Sequence, residues 1–201
     1  MPPSERNAGY TAVELDGSVH VVSGHFEVDD QLAAIEPRAD DEAFRAAMRV
    51  LAAGVVMVTT WHDVRPWGLT ISACCSVTVD PPEILISLRS TTVSCRAVLE
   101  SGRFGVSILA ARQKPLAELG SAVGAAKFVD DYCNDHEWIE SPMIADALCH
   151  LDCSVALHQK VSDHSLIVGR VRHVVYPPGG EAAADPLLYF DRAFWGLGRE
   201  I

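Results

Sequence analysis

The 201-residue chain contains no apolar run near the ~20 residues that a membrane-spanning helix needs. It also lacks G-x-G-x-x-G after a strand, G-x-x-x-x-G-K-[ST], G-x-S-x-G and H-E-x-x-H. Those absences exclude a Rossmann or P-loop nucleotide site, a nucleophile elbow and a helical zinc-protease site. Positive charge is scarce: 16 Lys and Arg stand against 27 Asp and Glu, for a net charge of −11. A nucleic acid or an anionic membrane is therefore not the expected partner, and any bound phosphate needs a local basic or N–H site. Six cysteines are present (Cys74, Cys75, Cys95, Cys133, Cys149, Cys153), but no Cys-x-x-Cys pair. Cys149 and Cys153 fall on one face of an expected strand, about 13 Å apart, too far to share a metal. No zinc site is expected. The opening MPPSERNAGY has no apolar segment, so a cytoplasmic home with free thiols is the expectation.

What is present suits one globular domain, with 49% apolar and 21% charged residues. The organising stretch is residues 68–88, GLTISACCSVTVDPPEILISL. Leu69, Ile71, Ala73, Cys75, Val77 and Val79 alternate with Thr70, Ser72, Cys74, Ser76 and Thr78. Period two predicts a single strand over 69–79 with its apolar set turned to a core. The other face carries small groups, mostly hydroxyls, that leave main-chain N–H and C=O reachable. It suits a flat, polar-edged ligand, or equally a second sheet or subunit.

Residues 1–39 read as an extension of unassigned role, with a possible hairpin over 18–28 packing on the domain or partly disordered; the domain proper is 40–201. Asp40 and Asp41 cap a helix expected to reach Ala53, with Phe44, Ala47, Met48 and Leu51 as its buried stripe and Gly54 as its stop. Strands are expected at 55–61, 84–88, 104–110, 149–161, 166–175 and 187–190. Short helices are expected from Ser90, Thr91 or Thr92 to Gly102 and over 112–120, and 162–164 forms a hairpin turn. Many strands with few helices predict a mainly β (α+β) fold, a closed antiparallel barrel with helical decoration. Taken alone, His164 beside Asp163 reads as a turn residue, Lys127 beside Phe128 as a solvated lysine, and Arg89 and Arg96 as surface cations.

Taken in order, six segments resemble the flavin reductase family, the FMN-binding split β-barrels of antiparallel Greek-key type that serve two-component monooxygenases. They are FRAAMRVLAAGVVMVTT, GLTISACCSVTVDPPEILISL, SGRFGVSILAARQ, AAKF, SDHSLIVGRV and PLLYFDRAF. The resemblance implies NAD(P)H-dependent reduction of FMN or FAD, a separate oxygenase partner and a homodimer. It implies that Ser72, Ala73, Cys74, Cys75 and Ser76 run beside the isoalloxazine. Arg89, Ser90, Thr91, Thr92, Ser94 and Arg96 would hold the ribityl phosphate, with Lys127 and Phe128 near it. Thr78, His164, Tyr189, Phe190, Asp191 and Arg192 would meet the nicotinamide nucleotide, His164 being the catalytic-site residue that positions it. The chain departs from the family pattern at Cys74 and Cys75 and in the tail AFWGLG. A flavin- or haem-dependent enzyme acting directly on an organic substrate, and a non-catalytic flavin binder, are the alternatives.

Overall fold

A computed structural model describes residues 39–177 and 185–197. The expected hairpin at 18–28 and most of the loop after Pro177 lie outside the described residues. Seven strands form one antiparallel sheet: β2 (Val56–His62), β3 (Arg65–Ile71), β4 (Cys74–Val79), β5 (Pro82–Arg89), β6 (Arg103–Ile108), β9 (Cys149–Val161) and β10 (His164–Val175). Their order is β3-β2-β6-β9-β10-β5-β4. Consecutive strands β3 and β4 thus stand at opposite borders of the sheet, joined only through Ser72 and Ala73. The sheet curls into a barrel whose seam the chain itself crosses. A small sheet of β1 (Ala53–Gly54), β11 (Leu188–Phe190) and β12 (Ala193–Trp195) lies apart, as does the pair β7 (Cys133–Asn134) and β8 (Met143–Ile144).

Two apolar clusters explain the pattern. Val56, Val58, Ile84, Ile86, Leu88, Phe104, Val106 and Ile167 fill the barrel, closed by Cys95 and Val98 of helix α2 (Val93–Ser101). Val55, Met57, Leu109, Val129 and Ile144 form the second, beneath Leu116 and Ala117 of helix α3 (Lys114–Ser121). β2 is buried on both faces, which is why its sequence reads as a continuous β-branched run and not as an alternation. α2 ends as its sequence predicts: Thr92 accepts from Cys95 N–H, and Gly102 sits at φ 65°. Among the described residues, no helix is long and apolar enough to cross a membrane.

Three expectations need correction. The strand over 69–79 is two strands, because the bend at Ser72 and Ala73 breaks both the ladder and the pleat. The alternation therefore restarts in the opposite phase: Cys74 packs against the barrel core, while Cys75 is exposed, as are Val77 (53%) and Val79 (88%). Helix α1 (Asp41–Arg49) stops four residues short of Ala53, and Gly54 lies in β1. Its apolar stripe is not buried: Phe44, Met48 and Leu51 are 59%, 48% and 62% exposed. The helix expected at 112–120 begins as a 3-10 turn (Ala111–Gln113), with Pro115 placed in the first turn of α3.

Candidate functional site at the barrel seam

The seam is where the chain leaves the β3 ladder and joins the β4 ladder. Ser72 and Ala73 lie between the strands, exposed, with Ala73 C=O accepting from Ser87 N–H at 3.1 Å and Ser72 C=O from Cys74 N–H at 3.1 Å. Beside them is a hollow of about 260 Å³ lined by Thr70, Ile71, Ser72, Ser121, Tyr189 and Arg192, with Val55 and Phe194 completing it. Thr70 contributes a second signal: its Oγ1 is buried and without a hydrogen-bond partner. A methyl on Gly120 would stand 2.3 Å from that oxygen, so glycine is what lets α3 approach β3 here. Two serines, an orphaned hydroxyl, the aromatic rings of Tyr189 and Phe194 and one arginine fit a flat polar-edged ligand such as the flavin ring system.

The other nominated residues fall in separate groups. Lys127 donates its Nζ to Gly120 C=O at the end of α3, and burial lowers its pKa. Phe128 is clamped: the Arg65 guanidinium lies 3.8 Å over its ring, and Trp67 meets it edge-on at 5.0 Å. Trp67 in turn donates from Nε1 to Ser94 Oγ at 3.0 Å. Ser94 is buried, so its hydroxyl holds Trp67 in place and faces no solvent. Thr92 is spent on capping, donating to Arg89 C=O and accepting from Cys95 N–H, and Thr91 is exposed. Through Trp67, the Phe128 segment and the start of α2 become one packed unit.

His164 and Arg89 are opposite one another across the β5–β10 ladder. Asp163 links them: its Oδ1 is 2.7 Å from His164 Nδ1, and its Oδ2 is 3.8 Å from Arg89. The imidazole hydrogen bond, with the His164 and Arg89 charges behind it, holds Asp163 below the usual carboxylate range. The arrangement fixes Nδ1 toward the carboxylate and leaves Nε2 as the outward nitrogen. Ser90 and Arg96 open instead onto a different hollow, shared with His158, Lys160 and Ser165.

On β4, Cys75, Ser76 and Thr78 lie along the border strand, and Thr78 is engaged with the main chain of Asp80. The Cys74 thiol is turned inward, where burial pushes its pKa up to about 11. Tyr189 and Arg192 reach the seam hollow, whereas Phe190 and Asp191 face α1. Asp191 and Arg192 sit at φ 45° and 64°, the left-handed pair that a tight β11–β12 turn requires. Ser121 and Phe194, neither nominated as a site residue, also line the hollow, carried there by α3 and the last hairpin.

The likenesses to known proteins fall on this framework. Residues 48–198 match the flavin reductase like domain model. A flavin reductase (NADH) from Kitasatospora aureofaciens is 35% identical over 162 residues, 77% of this chain and 81% of the relative. A flavin reductase (NADPH) from Lentzea aerocolonigenes is 33% identical over 152 residues, 75% and 86% of the two chains. The crystal structure of BorF, the flavin reductase component of a bacterial two-component tryptophan halogenase, superposes with a TM-score of 0.71 at 28% identity. It covers 80% of this chain and all of BorF. With the fold, the seam and these relatives in agreement, the chain belongs to the flavin reductase-like domain family.

Proposed function

We propose that this protein reduces FMN or FAD with NADH or NADPH and passes the reduced flavin to a separate oxygenase. The hollow at the β3–β4 seam carries this reading, because it joins reachable main chain, an unpartnered buried hydroxyl and Arg192 in one place. Hydride transfer is chemistry that the flavin and nicotinamide supply when bound. The chain's own task is to seat and orient both rings and to keep water from between them. Main chain at Ser72, Ala73, Cys74 and Cys75 serves the flavin's polar edge. Lys127 and the start of α2 serve its phosphate, and His164 Nε2 addresses the nicotinamide. The seam hollow is open to solvent, which suits a flavin that exchanges.

The reading includes a homodimer. Phe44 and Met48 on α1, Leu51 just beyond its end, and Tyr189 and Phe190 on β11 are exposed apolar residues lining one hollow, with Arg45, Arg49, Asp191 and Arg192 among them. A face of this kind is expected to be covered in solution. The activity is tested by following loss of nicotinamide absorbance with FMN or FAD added. Turnover with either flavin is the expected result. Flavin binding without nicotinamide oxidation would leave only a flavin-binding protein, and turnover of an organic substrate without free-flavin reduction would replace the proposal.

A further inference from the structure

The hollow beside the β7–β8 pair shares no lining residue with the seam hollow and is built differently. It measures about 410 Å³ and lies between that pair and the end of β10, where Tyr176 and Pro177 follow. Ile144, Ala147 and His150 are buried and make its floor; Asp135, His136, Asp146 and Tyr176 are exposed and make its rim. Both His150 nitrogens are held, by Ser107 and Ser141, so the floor is apolar in what it offers a guest. Register sets the two carboxylates apart: Asp135 follows Asn134 at one end of the short ladder, and Asp146 lies beyond Ile144 at the other.

Charge around this hollow has one sign. From Phe128 to Gln159 the sequence holds seven acids and no Lys or Arg. Asp130, Glu140 and Asp152 are matched by Arg65, Arg103 and Arg172 from other strands. Arg112 also approaches, but donates to Asp146 C=O at 2.6 Å and not to its carboxylate. What distinguishes Asp135 and Asp146 is their place, one at each end of an apolar floor. Beside the rim stands Trp138, 66% exposed, its main-chain N–H donating to His136 Nδ1 at 3.4 Å. An exposed indole next to an apolar hollow with a charged rim is the make-up of a protein-contact centre. In a chain of net charge −11, such a face draws in a cationic segment and turns away an acidic one.

We propose that this hollow docks a short basic segment of a protein partner, one apolar side chain on the floor between two arginines or lysines that meet Asp135 and Asp146. Charge complementarity selects the occupant. The carboxylates receive guanidinium or ammonium groups, and the aliphatic stems of those side chains suit the apolar floor. The inference rests on the flavin reductase reading only in naming the separate oxygenase as the protein that carries the segment. The probe is acetyl-Arg-Leu-Arg-amide, set against its citrulline counterpart, which keeps the shape and removes the charge. Binding is followed by NMR at the Trp138 indole N–H, in the parent and in the double variant Asp135→Asn with Asp146→Asn. Asn is accepted at Asp146, where φ is 56°.

The expected result is saturable binding of the arginine peptide to the parent that weakens about tenfold in the double variant and fades with added salt. The citrulline peptide should bind the parent about as weakly as the arginine peptide binds the variant. FMN affinity should be the same with and without the peptide. Equal response to both peptides, equal affinity in parent and variant, or displacement of FMN overturns the proposal. Tighter binding of spermidine or magnesium than of the peptide overturns it in favour of a free cation. A double variant that scatters as a single chain where the parent is a dimer overturns it in favour of a contact between copies. A parent that binds the peptide but reduces no flavin would leave the docking hollow standing and remove the reductase reading.

Discussion

The Nδ1 atom of His164 lies 2.7 Å from the Asp163 carboxylate, one residue back along the β9–β10 hairpin. Ser162 takes φ 53° to make that turn tight enough for adjacent side chains to meet. Removing the imidazole should raise KM for the nicotinamide nucleotide about tenfold, the worth of one hydrogen bond to a charged group. Flavin affinity should stay within about twofold. Asp163→Asn keeps the ring but loosens its orientation, so a smaller change in the same direction is expected. Steady-state kinetics paired with a flavin titration checks both variants. Equal loss of flavin and nicotinamide binding in His164→Ala would remove the positioning role.

A second histidine has the opposite character. His150 is buried on the outer side of β9, between Ser107 Oγ at 2.8 Å from Nδ1 and Ser141 Oγ at 3.1 Å from Nε2. Ser107 accepts from Ile144 N–H and Ser141 donates to Asp152, so both directions of the chain are satisfied by a neutral ring with its proton on Nε2. Burial lowers its pKa from 6.5 to about 4, against the opposing pull of Asp152. The unfolded chain therefore takes up the proton first as pH falls. Stability from this group is intact above about pH 6.5 and declines toward pH 4, by on the order of 3 kcal/mol in all. Urea unfolding midpoints across that window should show the decline, and His150→Gln should flatten it at the cost of lower stability near neutrality. An unchanged pH slope in the variant would refute the assignment.

Phe44 is predicted to lie in a contact between two copies. Light scattering should give twice the chain mass for the parent and a shift toward the single chain for Phe44→Glu, since a buried unpaired carboxylate is costly. A parent that scatters as a monomer at all concentrations would end the dimer proposal.

Val64 occupies the second central position of the β2–β3 turn at φ 63°, with Asp63 at φ 48°. A β-branched residue in the left-handed region costs roughly 1–2 kcal/mol, and Val64 is 92% exposed, so no packing offsets it. Val64→Gly should stabilise the protein by about 1 kcal/mol in urea titration. A destabilised variant would mean that the isopropyl group makes a contact in the assembled protein.

Local chemistry made much of this fold legible. Thr92 and Gly102 bracket α2 because capping depends on near neighbours, and Ser162 with Asp163 marks its hairpin for the same reason. The seam was only half legible. Alternation from Leu69 to Val79 survives in the sequence because each strand alternates, yet two small residues suffice to reverse the phase between them. Nothing local at Ser72 and Ala73 reports that they join opposite borders of a sheet. The α1 periodicity marks an apolar stripe but not its burial: Phe44 and Met48 are exposed, because spacing along one helix does not report what, if anything, covers it. Lys160 and Arg96 lie 64 positions apart, and only the barrel topology brings them to one groove.

The crossing at Ser72 and Ala73 makes the barrel intolerant to length in one spot. Along other loops an added residue is absorbed at the surface. Here one insertion would roll the next six residues by half a pleat, swinging the Cys74 sulfur into solvent and forcing Cys75 inward. The place best suited to admit a guest molecule is thus the place where the chain has least freedom to drift.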